Sequence, residues 1–152
     1  TFRFVEGAGK LYQIWPATDE RGLQRIYFDS PHPRNITATY GGDSRGRFEP
    51  DGTLVVDTIG FNEKFWLTRE GIPSTSALHL TEKFRRVAED TVEYYITLDD
   101  SSTWSRPWTV MLLLKKTGER MFEYACHEGN YAMFNILSGA RAAEREAAKA
   151  GK

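Results

Sequence analysis

The sequence predicts an all-β domain, mainly antiparallel, in which eight or nine strands form an up-and-down barrel and a C-terminal α-helix follows. Three observations predict it. Short apolar–polar alternations with a two-residue period recur along most of the chain, the pattern of half-buried strands. Clusters of Gly, Pro, Asp and Asn break these runs at hairpin spacing. No helical pattern separates one run from the next as a βαβ crossover would require, so the strands read as neighbours joined in sequence.

FRFV (2–5) and KLYQIW (10–15) flank Glu6-Gly7-Ala8-Gly9, and Asp19-Glu20-Arg21-Gly22 leads into LQRIYFD (23–29). SPHPRN (30–35) holds two prolines, which lack the donor a central strand needs, and reads as a loop. ITATY (36–40) reads as a further strand, and GDSRG (42–46) as a loop. RGRF (45–48) and TLVVDTIGF (53–61) flank Glu49-Pro50-Asp51-Gly52, a tight turn in which Pro presets φ and Gly takes the conformation other residues resist. LHLTEKFRRV (78–87) and TVEYYITLD (91–99) form one hairpin, and WTVMLLLKK (108–116) with RMFEYACHE (120–128) another. Such an array is calycin- or lipocalin-like by fold analogy alone.

Two segments depart from the pattern. NEKFWLTREGIPSTSA (62–77) is a long connection of mixed periodicity, expected as a short helix and loop over one barrel mouth. From about Tyr131 to Ala150 the period becomes helical, with Met133, Phe134, Ile136, Leu137, Ala140 and Ala143 as a docking stripe and an Ala-rich, charged second half. Residues 1–152 are expected to form a single domain, with strands over about 2–128 and the helix over about 131–150. The first residue is Thr1 rather than Met, so a removed N-terminal segment or a longer parent chain is expected.

Composition narrows the function. Hydrophobic residues make up 40% and charged residues 27%, with a net charge of −1 and no long basic run, so no nucleic-acid footprint is present. No apolar run approaches the roughly 18 to 20 residues of a membrane-spanning helix. A single cysteine excludes an internal disulfide and a multi-cysteine zinc site. Aromatics reach 13%, suited to sheet packing and equally to a stacking pocket.

Side chains alternate across a strand, so parity assigns them to faces. Val92, Tyr94, Ile96 and Leu98 are expected inside. Leu78, Leu80 and Phe84 share a face with Glu82 and Arg86, which places two charges inward. A buried carboxylate must be paired, hydrated or shifted in pKa, so these two either form an internal ion pair or face a ligand. Asp57 is a third interior charge if the Val55 face points in, or else it ends its strand. Cys126 and His127 are adjacent and point to opposite faces, so they cannot form a thiolate–imidazole pair; Cys126 reads as a small buried hydrophobe.

His32, His79 and His127 stand on a loop and two strands without HxH or HExxH spacing, so no metal is expected. No GxSxG elbow, P-loop or dinucleotide fingerprint is present, and no cofactor is expected. What remains is a pocket of acids, an arginine, tyrosines and tryptophans.

GDSRGRFEPDGTLVVDTIGFNEKFWL, LHLTEKFRRV, TVEYYITLDD and RPWTV resemble the motifs of a broad family of bacterial proteins with no established activity, many of which look secreted. The resemblance runs from about Phe2 to Glu128 and covers Asp57, Asn62, Trp66, His79, Glu82, Arg85, Arg86, Asp99, Pro107 and Trp108. Members often carry His in the loop before the LH motif; here that loop reads Gly71-Ile72-Pro73-Ser74-Thr75-Ser76, a departure that weakens a metal reading. The resemblance implies an exported protein, periplasmic or extracellular.

The expected function is a pocket for a small aromatic, apolar or sugar-derived molecule, turned over by a cofactor-independent lyase, isomerase or hydrolase. The alternative is a non-catalytic ligand-binding or structural barrel. Glu82 and Asp57 are the expected acid–base pair, Tyr94 donates a hydrogen bond, and His79 and His127 stand in reserve. Arg86 holds an anionic group, Trp66 and Trp108 stack, and Asn62 and Tyr124 complete the binding set.

Overall fold

The structure, a computed structural model, describes residues 2–15, 22–64, 71–122 and 128–150. The chain divides into two compact units, Thr1–Phe122 and Glu123–Lys152. The first holds β1 (Arg3–Gly7), β2 (Lys10–Ile14), β3 (Leu23–Tyr27), β4 (Asp43–Phe48), β5 (Leu54–Ile59), β6 (His79–Ala88), β7 (Thr91–Asp99) and β8 (Trp108–Lys115). They form one sheet in sequence order, curled into a half-barrel, as the alternation predicts. The second unit holds α1 (Ala132–Ala150), over the range its period predicts. Of its expected docking stripe, Met133, Phe134, Ile136 and Leu137 are exposed, and no α1 residue is buried.

Three local expectations are corrected. ITATY forms only an isolated bridge, Thr39 with Phe61: the Thr39 amide donates to the Gly60 carbonyl (3.0 Å) and the Asn62 amide to the Thr39 carbonyl (2.8 Å), and no ladder extends from them. GDSRG is not a loop: Asp43 and Ser44 open β4, paired to Ile59 and Thr58. The array is not wholly up-and-down, since β3 and β4 pair in parallel through Ile26–Ser44 and Tyr27–Arg45. Residues 28–42 supply the return path this requires, and Asp29 starts it in the left-handed region at φ 59°.

The Glu49–Gly52 turn forms as its residues dictate. Gly52 sits at φ 82° and its amide donates to the Glu49 carbonyl (2.9 Å), while the Asp51 carboxylate accepts from the Thr53 amide (2.9 Å). The turn fixes the β4–β5 register, Phe48 opposite Leu54. Two apolar clusters then fill the concave face. One centres on Ile26, Leu54, Val56, Phe84 and Tyr94, the other on Phe61, Leu78, Leu80 and Leu98. Each fully buried Ile, Val or Leu among them contributes about 1.5–3 kcal/mol from area removed from water.

Candidate functional site

Parity is correct for most of β6, where Leu80, Glu82 and Phe84 are buried while Lys83 and Arg85 are exposed. Glu82 is only 1% exposed. Its Oε2 accepts from Gln24 Nε2 (3.0 Å) and its Oε1 accepts from the Tyr94 hydroxyl. Gln24 Nε2 also donates to Ser44 Oγ (3.1 Å), and Thr58 Oγ1 donates to Ser44 Oγ (2.9 Å). Gln13 stands opposite Gln24 across the β2–β3 ladder, fully buried, and neither of its side-chain polar atoms has a hydrogen-bond partner among the described residues. A polar belt thus crosses the apolar concave face from β2 to β7.

Arg86 is corrected: it does not pair with Glu82. The β6–β7 register slips between Arg86 and Ala88, and the Arg86 guanidinium donates to the Ala88 (3.2 Å) and Glu89 (3.0 Å) carbonyls at that end of the strand. Neutral donors from Gln24 and Tyr94 take the place the arginine was expected to fill.

Asp57 is corrected as well. Val56, not Asp57, stands opposite Glu82, so Asp57 faces the convex side. There it joins a different constellation. Asp57 Oδ2 accepts from His79 Nε2 (2.5 Å), diagonal to it on β6, and Oδ1 accepts from His32 Nε2 (2.8 Å). His32 Nδ1 meets Asp43 Oδ1 (2.7 Å), and Arg45 clamps both Asp43 oxygens through Nε (2.7 Å) and Nη2 (2.8 Å). Arg45 also donates to Ser30 Oγ (2.6 Å) and lies over the Tyr27 ring. The Pro-flanked segment that carries His32 thereby closes a continuous array: His79, Asp57, His32, Asp43, Arg45.

Burial alone would raise both aspartates. For Asp57, hydrogen bonds from His79 and His32 and their charge outweigh it and hold the carboxyl below its ordinary range. For Asp43 the same is done by Arg45 and His32. Both therefore act in the array as fixed anions.

A cavity of about 340 Å³ opens where β3 and β4 diverge beyond their two paired residues. Its lining includes Gln24, Ser44 and Thr58 from the belt, Phe61 and Leu80 from the apolar cluster, and Asp43 from the convex array. Asp43 and Ser44 are consecutive and face opposite sides, and both line the cavity because it lies at the opening of β4. A second, larger cavity of about 820 Å³ lies elsewhere in the unit and shares none of these residues.

Of the remaining expected site residues, the described Asn62 and Trp108 are not in the lining of this cavity. Asn62 Oδ1 accepts from the Lys64 amide (3.1 Å) in a local turn. Trp108 begins β8, partly exposed, edge-to-face with Trp104 at 5.4 Å. Trp66, Tyr124, Cys126 and His127 lie outside the described residues. Asp100, unflagged in the sequence, is a buried loop organiser that accepts from Thr75 and Thr103 hydroxyls and the Thr75 and Ser102 amides.

Gln24, Ser44, Thr58, His32, Asp43 and Arg45 were missed. The available signals were a histidine set between two prolines, and Gln24 as a polar residue sharing the face of Ile26. No protein-family model, curated protein or solved structure matches the chain. Among the described residues no helix is long and apolar enough to cross a membrane, and no group of three or more His, Cys, Asp or Glu side chains is arranged to hold a metal ion.

Proposed function

We propose that this protein binds a small, polar, sugar-like molecule in the β3–β4 cavity and turns it over as a cofactor-independent lyase, isomerase or hydrolase. The position of Asp43 carries the reading: it lines the cavity and is hydrogen-bonded to His32 in the histidine–aspartate array. The cavity's size falls within the range of small-molecule sites, roughly 300–1,000 Å³. Its amide and hydroxyl groups suit a hydroxylated ligand, and Phe61 and Leu80 offer an apolar wall. Asp43 and Asp57, as held anions, orient the two imidazoles, and imidazole is the side chain that exchanges protons near neutral pH.

A second reading, binding without turnover, is favoured by those same lowered carboxyls, since strongly held anions are weak bases. Turnover and binding of a panel of monosaccharides and sugar acids by wild type, Thr58→Val and His79→Gln separate the two. The catalytic reading expects Thr58→Val to lose binding, and His79→Gln to keep binding and lose turnover. Binding with no turnover by wild type leaves the binder; undiminished turnover in His79→Gln removes that histidine from the chemistry; unaltered binding in Thr58→Val removes the site.

The motifs shared with the bacterial family support a further proposal, that the protein is a member of it and is exported. Recovery from the cytosolic fraction of its source, with none in the periplasm or medium, would contradict export.

A further inference from the structure

The cavity of about 820 Å³ is walled by Phe2, Phe4, Trp15, Phe84 and Leu114, with Arg86 on its lip. Phe2 packs edge-to-face on Phe4 (5.3 Å) and against Trp15 (4.7 Å), and Phe4 packs edge-to-face on Phe84 (5.2 Å). The wall is therefore a fixed aromatic surface rather than a set of independent side chains.

The lip is charged. Arg3, Arg86, Lys115 and Lys116 line the cavity together with Glu89, Asp90 and Glu119. Lys115 is engaged by Asp90 (3.4 Å). Arg86 differs: among the described residues it has no carboxylate partner, and two backbone carbonyls hold its guanidinium in place. The register slip after Arg86 positions it there, at the end of the concave face that buries Phe84 and Glu82.

We propose that this cavity is a second ligand site, for a single-chain amphiphile with a carboxylate head, a long-chain fatty acid in chemical class. The alkyl body lies against the Phe2–Phe4–Trp15–Phe84 wall, and the head takes a charge-assisted hydrogen bond from Arg86. The site is independent of the β3–β4 cavity.

Calorimetric titration with oleate and with oleyl alcohol, each below its aggregation threshold, tests the proposal. Oleate should bind wild type with a dissociation constant on the order of micromolar. Arg86→Gln, an exposed change, should weaken oleate about tenfold or more and leave oleyl alcohol unchanged. Gln24→Ala, in the other cavity, should leave oleate binding unaltered. Failure of oleate to bind overturns the proposal, as does equal oleate affinity in wild type and Arg86→Gln; neither outcome touches the sugar-site reading.

Discussion

Asp57 and Glu82 occupy opposite faces of the same strand pair: Glu82 stands across from Val56, and Asp57 across from Thr81. One register step therefore separates two chemistries. On the concave side, Glu82 is held by an amide and a phenol within an apolar core. On the convex side, Asp57 is held by two imidazoles.

The Glu82 contacts should be strong because the group is buried and its donors are aimed at a carboxylate. Tyr94→Phe and Glu82→Gln should each lower stability by about 1–3 kcal/mol. The double variant should lose less than the sum, with a coupling of about 0.5–3 kcal/mol. Urea unfolding midpoints of the four proteins measure this; additive losses would mean the two groups do not interact.

Gln13 makes the opposite prediction. Its amide is buried with both polar atoms unpartnered among the described residues, which costs about 1–3 kcal/mol relative to a satisfied group. Gln13→Leu should therefore raise the thermal midpoint. A fall would indicate that the amide has a partner, such as an ordered water, that stabilises it.

The array makes the fold sensitive to acid. Asp43 and Asp57 titrate lower in the folded chain than in the unfolded one. Their contribution is fully present above the unfolded carboxyl pKa of about 4 and is lost as the pH falls through the lower folded values. Asp57→Asn should flatten the loss of thermal stability between about pH 5 and pH 2. An unchanged acid limb would separate Asp57 from the stability of the fold.

Gly46 tests the packing beneath the site. A Cβ there would lie 2.6 Å from Ile26 Cγ2 and 2.9 Å from Phe28 Cε1. Gly46→Ala should cost about 1–3 kcal/mol through overpacking. A neutral result in chemical denaturation would mean that β3 and the chain just after it can give way.

Much of this fold was legible because it rests on local patterns. The alternation in β6 and β7 places Leu80, Glu82, Phe84 and Tyr94 inward, and Pro50-Asp51-Gly52 sets its own turn. The site was legible only in parts. Asp57, His79, Glu82 and Tyr94 were all singled out, yet their grouping depends on cross-strand register, and a step of one residue inverts a face. His32 and Asp43 meet only because a Pro-containing segment returns across the convex face to a parallel strand, a tertiary event with no local period. Arg86 keeps its register opposite Val92, but its guanidinium bonds the Ala88 and Glu89 carbonyls past the slip, a contact that parity alone does not reveal.

The most direct test of the proposed function is an amide-detected NMR titration of the whole chain with the monosaccharide and sugar-acid panel. The proposal predicts that at least one compound shifts the Gln24 side-chain amide together with the Gly42, Asp43, Ser44 and Thr58 backbone signals, all in the cavity lining. Shifts confined to other parts of the chain, or none across the panel, would contradict it.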